Sequence, residues 1–232
     1  MKGHVHPISA AITRINEIFE KLGFEFAEGP LIESEWYNFD ALNVPHDHPA
    51  RDMQDTFFVK DKEQAVLRTH TSPVQVRYME KHGAPCRIVV PGRAFRNEAT
   101  DATHEAQFYQ VEGLYVDKGV SLAHLKGTLE HFFSEFYERD VTVRFRPGYF
   151  PFVEPGVEVD MLLTKSDGSE RWVEVMGAGM VHPNVLRAAK IDPEEYSGFA
   201  FGGGLERLIM IAAGIDDIRM FHTGDLRFIH QF

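Results

Sequence analysis

The segment QFYQVEGLYV carries the most chemically suggestive side chains of this sequence. Successive residues of a β-strand point to opposite faces, so Phe108, Gln110 and Glu112 share one face and Tyr109 and Val111 share the other. On the first face, the aromatic ring could stack on a purine, and the amide and carboxylate could accept hydrogen bonds from an ammonium group. An ordinary half-solvated antiparallel strand has the same pattern, so this segment alone leaves both interpretations open.

The preceding segment, GRAFRNEATDATHEAQF, predicts a hairpin that leads into that strand. Arg96 and Glu98 stand two residues apart at the end of a first strand, and His104 lies in the polar loop that follows. A guanidinium group is suited to a bidentate grip on phosphate, and a hairpin loop could close over a nucleotide. The alternative is a surface ion pair, which contributes about 0–1 kcal/mol.

A third candidate site lies in GFAFGGGLERLIMI, where a glycine-rich strand joins an apolar helix. Glycines allow a ligand to approach the backbone closely, and Glu206 and Arg207 fall in the first helical turn, near a gap of phosphate size. A packing corner would have the same sequence. A dinucleotide-binding fold is disfavoured, because no β-α-β unit with its acidic partner follows these glycines.

The segment YFPFVEPG could form an apolar slot. Phe150 and Phe152 share one face if the segment is extended, and edge-to-face contacts with a bound ring would each contribute about 0.5–1.5 kcal/mol beyond burial. Core packing is the alternative for these two rings.

Histidines form two short clusters for which we favour solvated loops over metal binding. Neither cluster has a cysteine group or an evident third ligand nearby, and a further histidine in GMVHPN, His182, is expected to support a turn. The clustered residues are His4, His6, His46 and His48.

Composition limits the class of protein. The 232 residues are 44% hydrophobic and 25% charged, which predicts one globular domain over residues 1–232. A net charge of -11 excludes bulk electrostatic attraction to a polyanion, so any nucleic-acid contact must be local. The single cysteine, Cys86, excludes an internal disulfide and fits a reducing compartment. No segment predicts a membrane span or secretion signal, so we expect a cytoplasmic protein.

Hydrophobic periodicity predicts the elements that position these residues. Helices are expected over residues 7–22, 72–82 and 121–139, and a final helix is expected to begin near 204 and end at 214. In the second of these, Ser72 is expected to be the N-cap and Pro73 the first helical residue. Strands are expected over 87–90, 107–116, 157–163 and 172–176, with an edge or interface strand in 24–32 and a mobile polar loop over 33–55. Strands that follow one another without crossover helices indicate an α+β fold, an antiparallel β-sheet flanked by helices.

Three of these segments together resemble the three motifs of class II aminoacyl-tRNA synthetases, in the order that the class requires. They are GFEFAEGPLIE with Gly23, Phe24 and Pro30, FRNE with Arg96 and Glu98, and GGGLER with Gly202, Gly204, Glu206 and Arg207. The flanking blocks LRTHTSPVQVRYM, RFRPGYFPFVEPGVEVD and GAGMVHPNVL are similar to the bacterial phenylalanine–tRNA ligase alpha-subunit family. The resemblance covers nearly all of the chain.

The resemblance implies activation of phenylalanine with ATP and Mg²⁺, followed by transfer to tRNA. Arg96 would hold the α-phosphate of ATP, and Arg207 would pack over adenine and reach the terminal phosphate. Phe108 would cover the other adenine face, Glu98 the adenine edge, and His104 would approach the β- and γ-phosphates. The two arginines are thereby implied as the catalytic pair.

The resemblance also implies a phenylalanine site. The ammonium group would be held by His70, Ser72, Gln75, Gln110 and Glu112, and the ring by Phe150, Phe152, Val153 and Ala200, with Ala200 setting the depth at the para position. Glu154 corresponds to a position linked to magnesium at a subunit contact, although a lone glutamate before Pro155 is usually solvated.

Members of the family assemble with a beta subunit as α2β2, and the first motif is a dimer interface in the class. We therefore expect at least a homodimer or a beta-subunit partner. The N-terminal helical hairpin of typical alpha subunits, which contacts tRNA, is expected to be absent. The alternative function is a non-catalytic, amino-acid-sensing or regulatory paralogue, which intact Arg96, Glu98 and Arg207 disfavour.

Overall fold

The computed structural model describes residues 3–48, 51, 56–164 and 168–232. Its helices are α1 (Pro7–Lys21), α2 (Glu35–Asn38), α3 (Pro73–His82), α4 (Leu122–Tyr137), α5 (Pro183–Ala188), α6 (Leu205–Ala213) and α7 (Leu226–Ile229). The strands are β1 (Glu25–Phe26), β2 (Ile32–Ser34), β3 (Ala65–Leu67), β4 (Cys86–Phe95), β5 (Gln107–Asp117), β6 (Val143–Phe150), β7 (Val153–Thr164), β8 (Glu170–Val181) and β9 (Ser197–Gly204). None of the helices in these ranges is long and apolar enough to cross a membrane.

Within the described residues, seven strands form the main sheet in the order β1-β4-β5-β9-β8-β7-β6. Every pair in this sheet is antiparallel except β1 and β4, which run parallel. The α+β prediction is therefore confirmed, with one short parallel pair at the sheet edge. Of the strand predicted in 24–32, only β1 joins this sheet, because Ile32 belongs to β2. Strands β2 and β3 make a separate two-stranded sheet.

Helices cover both faces of the main sheet. Helices α1, α4 and α6 contribute Ile15, Phe19, Leu129 and Leu208 to a core that includes Val111 of β5. The opposite core lies against α3 and α5 and includes the β5 residues Leu114 and Val116. The alternation of β5 therefore places Phe108, Gln110 and Glu112 on the same face as Leu114. These three residues lie at the end of β5 that the second core does not cover.

The predicted mobile loop over 33–55 is wrong for the part that the structure describes. Ser34 caps α2 by accepting a hydrogen bond from the backbone N–H of Tyr37, and a 3-10 helix, Asp40–Leu42, follows. Phe39 and Leu42 are buried, and these apolar residues anchor a segment whose polar neighbours suggested a loop. Residues 49–50 and 52–55 of the predicted loop lie outside the described residues.

Two further sequence predictions need correction. Strand β6 was not predicted, because Arg144, Arg146 and Pro147 interrupt its apolar pattern; it lies at the sheet edge, where charged residues and proline are tolerated. Helix α6 ends at Gly214 as predicted, but it is not the final helix, since a 3-10 helix over Ile218–Phe221 and then α7 follow it.

Candidate active site

Two adjoining cavities open on one face of the main sheet. The first has a volume of about 500 Å³ and the second about 690 Å³, both within the usual range for small-molecule sites. Four residues border both cavities: Arg96, Gln110, Gly177 and Gly202. A ligand in one cavity would therefore meet a ligand in the other at this junction.

Glu112 forms the polar end of the first cavity. Its carboxylate accepts hydrogen bonds from the Ser72 hydroxyl at 2.6 Å, the Gln75 amide at 2.9 Å and the Thr71 backbone N–H at 3.2 Å. Burial raises the pKa of Glu112, against the opposing effect of these donors and of Arg68. A buried carboxylate of this kind is suited to a cationic ligand group.

Ser72 precedes α3 as predicted, but it is not a side-chain cap. Its hydroxyl donates to Glu112, and no hydrogen bond joins it to the first helical turn. The N-terminus of α3 thus serves the cavity, and the backbone of Gly202 allows the arrangement, because a Cβ there would lie 2.6 Å from the Glu112 Cγ.

His70 lines the same cavity and is held neutral. Burial, followed by the positive charge of Arg96, lowers its pKa to about 3. The Nδ1 atom is buried and has no hydrogen-bond partner in the part of the chain that the structure describes. Because an unpaired buried nitrogen is costly, this atom is available to a ligand.

The other end of the first cavity is apolar. Phe150 and Phe152 both line it, with ring centroids 6.2 Å apart and planes 24° from parallel, and Val153 and Ala200 complete this end. Phe150 lies over Gly177 of β8, where an added Cβ would stand 2.7 Å from the ring. The position of Phe150 therefore depends on a glycine from another strand.

His48 and Tyr149 stand on the border of this cavity, and sequence reasoning gave neither a role in a site. The His48 Nε2 lies 2.9 Å from the Tyr149 hydroxyl, and the two rings are nearly parallel, 6.2 Å apart. No sequence signal could connect them, because they are 101 positions apart.

Arg96 dominates the wall that the two cavities share. Its Nε donates to the Thr69 carbonyl, its Nη1 lies 3.8 Å from Glu98, and its guanidinium carbon lies 5.0 Å from the centroid of the Phe108 ring. Burial lowers the pKa of Arg96, although the side chain stays a cation far above neutral pH. The second cavity is lined by all five predicted nucleotide-site residues: Arg96, Glu98, His104, Phe108 and Arg207.

The first turn of α6 reaches both β8 and β5. Arg207 is exposed, and its Nε donates to the Glu174 carbonyl of β8 at 2.9 Å. The preceding residue, Glu206, is buried and accepts the backbone N–H of Tyr109. The sequence placed Glu206 in the first helical turn and in GGGLER but did not predict this contact.

The loop between β4 and β5 is closed by local contacts. Asp101 accepts hydrogen bonds from Thr103 and His104, chiefly the Thr103 backbone N–H, and these hold the pKa of its carboxyl well below the usual range. The backbone N–H of Ile218 also donates to the Ala102 carbonyl at 2.9 Å. A segment near the C-terminus therefore supports the loop that carries His104.

The described residues contain no group of three or more His, Cys, Asp or Glu side chains arranged to hold a metal ion. Glu154 is exposed, and its carboxylate lies 3.3 Å from the Nε2 of His182. In the second cavity, the Glu105 Oε2 is buried without a hydrogen-bond partner among the described residues, an oxygen ligand of the type that Mg²⁺ prefers.

The histidines outside the cavities have structural contacts. His182 caps α5 by accepting the Asn184 backbone N–H, which fits the predicted turn. His6 caps α1 and contacts the Phe221 carbonyl, and His4 contacts the Phe232 carbonyl, so this pair joins the two ends of the described chain. The solvated-loop prediction is wrong for His6, whose half-buried side chain caps a helix and contacts a distant carbonyl, whereas His4 is exposed.

The geometry thus groups the predicted residues in two sets. The nine residues predicted to bind an amino acid all border the first cavity: His70, Ser72, Gln75, Gln110, Glu112, Phe150, Phe152, Val153 and Ala200. A cavity that presents the guanidinium groups of Arg96 and Arg207 and an aromatic cavity with a carboxylate anchor meet at Arg96, an arrangement suited to joining a carboxylate to a phosphate.

Comparisons with known proteins give a consistent picture. The sequence model of the family described as "tRNA synthetases class II core domain (F)" matches residues 1–232. The chain is 54% identical over 231 residues to a protein of Xanthomonas euvesicatoria pv. vesicatoria named phenylalanine–tRNA ligase alpha subunit, covering 100% of this chain and 69% of the relative. The protein of that name in Xylella fastidiosa (strain 9a5c) is also 54% identical, with 68% of its length covered.

Among solved structures, the chain is similar to the pyrrolysyl-tRNA synthetase of Desulfitobacterium hafniense. The TM-score is 0.71 and the match covers 94% of this chain and 74% of the other. At 18% identity, this likeness concerns the fold alone.

Proposed function

The chain belongs to the class II aminoacyl-tRNA synthetase core family, with the phenylalanine–tRNA ligase alpha subunits, and from this premise we propose that its two cavities join phenylalanine to ATP. The first cavity binds phenylalanine and the second binds the nucleotide. The single observation that carries this assignment is the junction, where Arg96 and Gln110 border both cavities.

In this proposal the amino acid lies with its ammonium group against Glu112, Gln75 and Ser72. Neutral His70 offers an unpaired nitrogen there without adding a positive charge that would repel the ligand. The benzyl group lies against Phe150 and Phe152, above Val153 and Ala200. Tyrosine would add a hydroxyl at the apolar end, where none of these four side chains offers a hydrogen-bond partner.

ATP lies in the second cavity with adenine between Phe108 and Arg207, Glu98 at the adenine edge and His104 toward the terminal phosphates. Arg96 neutralises the α-phosphate. A carboxylate oxygen of phenylalanine then attacks the α-phosphorus, the bond to the β-phosphate breaks, and pyrophosphate leaves. The side chains of this chain act by positioning and charge stabilisation, as is usual for phosphoryl transfer.

Magnesium in this reaction would neutralise phosphate charge. The carboxylates of Glu105 and Glu174 border the nucleotide cavity, and their oxygens suit an ion that arrives with ATP more than a protein-only metal cage. A structural magnesium role for Glu154 stays a prediction.

The second step transfers phenylalanine to tRNA. A ribose hydroxyl at the 3′ end of tRNA(Phe) attacks the carbonyl carbon of phenylalanyl-adenylate, the product of the first step, and AMP leaves. We propose that this takes place in the cytoplasm, with a beta subunit in an α2β2 assembly or a second copy of the chain as the partner. The strongly negative net charge makes a tRNA contact away from the two cavities depend on local basic groups or on that partner.

Pyrophosphate exchange tests the assignment. Phenylalanine should drive exchange of labelled pyrophosphate into ATP, and tyrosine should do so at least about ten-fold less well. Arg96→Ala should abolish exchange, whereas Arg93→Ala, at an exposed position of β4 just before Arg96, should leave it near wild type. Exchange that does not depend on phenylalanine, or that survives Arg96→Ala, would contradict the proposal.

A further inference from the structure

Strand β5 extends past the end of its neighbour β9. The last paired residues are Gln110 and Gly204, after which β9 turns into α6. The backbone N–H of Tyr109 therefore has no strand carbonyl to meet on that side. A buried N–H without a partner is rare and costly, so another acceptor is required at this point.

Glu206 supplies that acceptor. Its side chain is 1% exposed, and its two carboxylate oxygens lie 2.8 Å and 3.0 Å from the Tyr109 nitrogen. Tyr109 stands between Phe108 and Gln110, which border the cavities, and Arg207 follows Glu206 directly. One carboxylate thus ties together the two pieces of backbone that present Phe108 and Arg207.

A third segment faces the same carboxylate. The Nε2 of His222 is buried, lies 3.4 Å from the Glu206 Oε1 and has no hydrogen-bond partner among the described residues. His222 directly follows the 3-10 helix whose first residue, Ile218, donates to Ala102 in the nucleotide-site loop. The segment from Ile218 to His222 therefore contacts both the loop of the second cavity and Glu206.

We propose that Glu206 is a positioning residue for the nucleotide: it fixes the separation between Phe108 and Arg207, and so the width of the slot for adenine. The inference rests on the proposed function of the second cavity. Glu206 touches no substrate in this scheme, and its loss should weaken ATP binding while leaving the phenylalanine cavity, which Glu206 does not border, unchanged.

The test compares Glu206→Met with Glu206→Gln. Both are similar in length to glutamate and favour helices, but only glutamine retains an oxygen that can accept the Tyr109 N–H. The Met variant should raise the KM for ATP in pyrophosphate exchange about ten-fold or more, the scale of one unpaired buried donor. The KM for phenylalanine should change less than about two-fold, and glutamine should restore most of the ATP affinity.

Two controls separate positioning from a general loss of structure. Glu33→Gln changes another buried carboxylate, which pairs with Arg77 and borders neither cavity, and should leave the KM for ATP unchanged. Hydrogen exchange should show that the Tyr109 amide is protected in the wild type and the Gln variant and exposed in the Met variant. If the Met variant does not fold, Glu206→Asp, whose carboxylate is withdrawn by one methylene, takes its place in the comparison.

An unchanged KM for ATP in a folded Met or Asp variant would overturn the inference, as would equal increases in both KM values. Wild-type protein without phenylalanine-dependent exchange would instead overturn the proposed function itself. The two failures are therefore distinguishable.

Discussion

Glu112 is a buried carboxylate surrounded by hydrogen-bond donors, with Arg68 contributing positive charge. Burial nevertheless prevails and raises its pKa above the ordinary value of 4.5, so the folded chain binds this proton more tightly than the unfolded chain does. The contribution of Glu112 to stability is thus fully present below that ordinary value and is lost as the pH rises through the raised pKa.

Glu112→Gln removes this titration. In the absence of ligand, the free energy of unfolding of the variant relative to the wild type should rise as the pH is raised from about 4 to about 8, as measured by urea unfolding. Phenylalanine affinity at neutral pH should fall about ten- to hundred-fold, because a charge-assisted hydrogen bond is lost. Parallel pH profiles for the two proteins would contradict the assignment.

Ala200 is buried at the apolar end of the first cavity, where a methyl group limits the space for a substituted ring. Ala200→Gly should admit phenylalanine analogues with a bulky para substituent. It should stabilise their transition state for exchange by about 1–3 kcal/mol. Ala189→Gly, a buried alanine that does not border either cavity, is the matched control. Unchanged selectivity for the analogues in Ala200→Gly would count against the predicted orientation of the ring.

At the scale of single residues, local sequence patterns predicted much of the candidate site. Alternation along a strand placed Phe108, Gln110 and Glu112 on one face, and arginine chemistry selected Arg96. The role of Glu206 was not predictable in the same way, because it depends on the point at which β9 stops pairing with β5. The contact between His48 and Tyr149 likewise depends on two distant segments meeting at one cavity border.

At the scale of elements, β8 determines where Phe150 of β6 can lie, since the ring occupies space that a side chain at position 177 would fill. Gly177→Ala should displace the ring and raise the KM for phenylalanine, with a cost of about 1–3 kcal/mol from overpacking. Gly214→Ala is not a suitable comparison, because its positive φ introduces backbone strain. Gly127→Ala, at an open helical position, is the matched control.

Steady-state exchange kinetics and thermal unfolding would check this expectation. A Gly177→Ala protein with unchanged phenylalanine KM would show that the Phe150 ring is not part of the binding site.

The elements themselves were predictable where their pattern was regular. Helices α1 and α4 repeat apolar residues at helical spacing, and β5 alternates cleanly, so their positions followed from the sequence. Strand β6 was not predicted, because an edge strand tolerates charged residues and proline, and these interrupt the apolar pattern by which strands are recognised. The segment over 33–48 was not predicted, because a few buried side chains, such as Ala41 and Leu42, pack with α3 and outweigh its polar composition.

At the scale of the whole molecule, apolar side chains remain exposed in the first motif and near it. Ile32 in β2 is 44% exposed, Trp36 in α2 is 42% exposed, and Phe58, which bridges to β3, is 67% exposed. Such exposure is typical of a surface that a partner covers.

We expect the chain to be at least dimeric at micromolar concentration, and light scattering would measure this directly. Ile32→Glu should shift the protein toward monomer, while Leu226→Glu, at an exposed apolar position in α7, should not. A monomeric wild-type protein, or a dimer that persists in Ile32→Glu and dissociates in Leu226→Glu, would contradict an interface through the first motif.

The shared wall formed by Arg96, Gln110, Gly177 and Gly202 has a consequence for inhibition. Phenylalanyl-adenylate, the product of the first step, is a mixed anhydride of phenylalanine and AMP. A stable mimic of it would span both cavities at once and would lose its translational and rotational freedom only once. Its two halves would then reinforce each other, so the whole should bind far more tightly than either fragment alone, without any contact that the separate fragments lack.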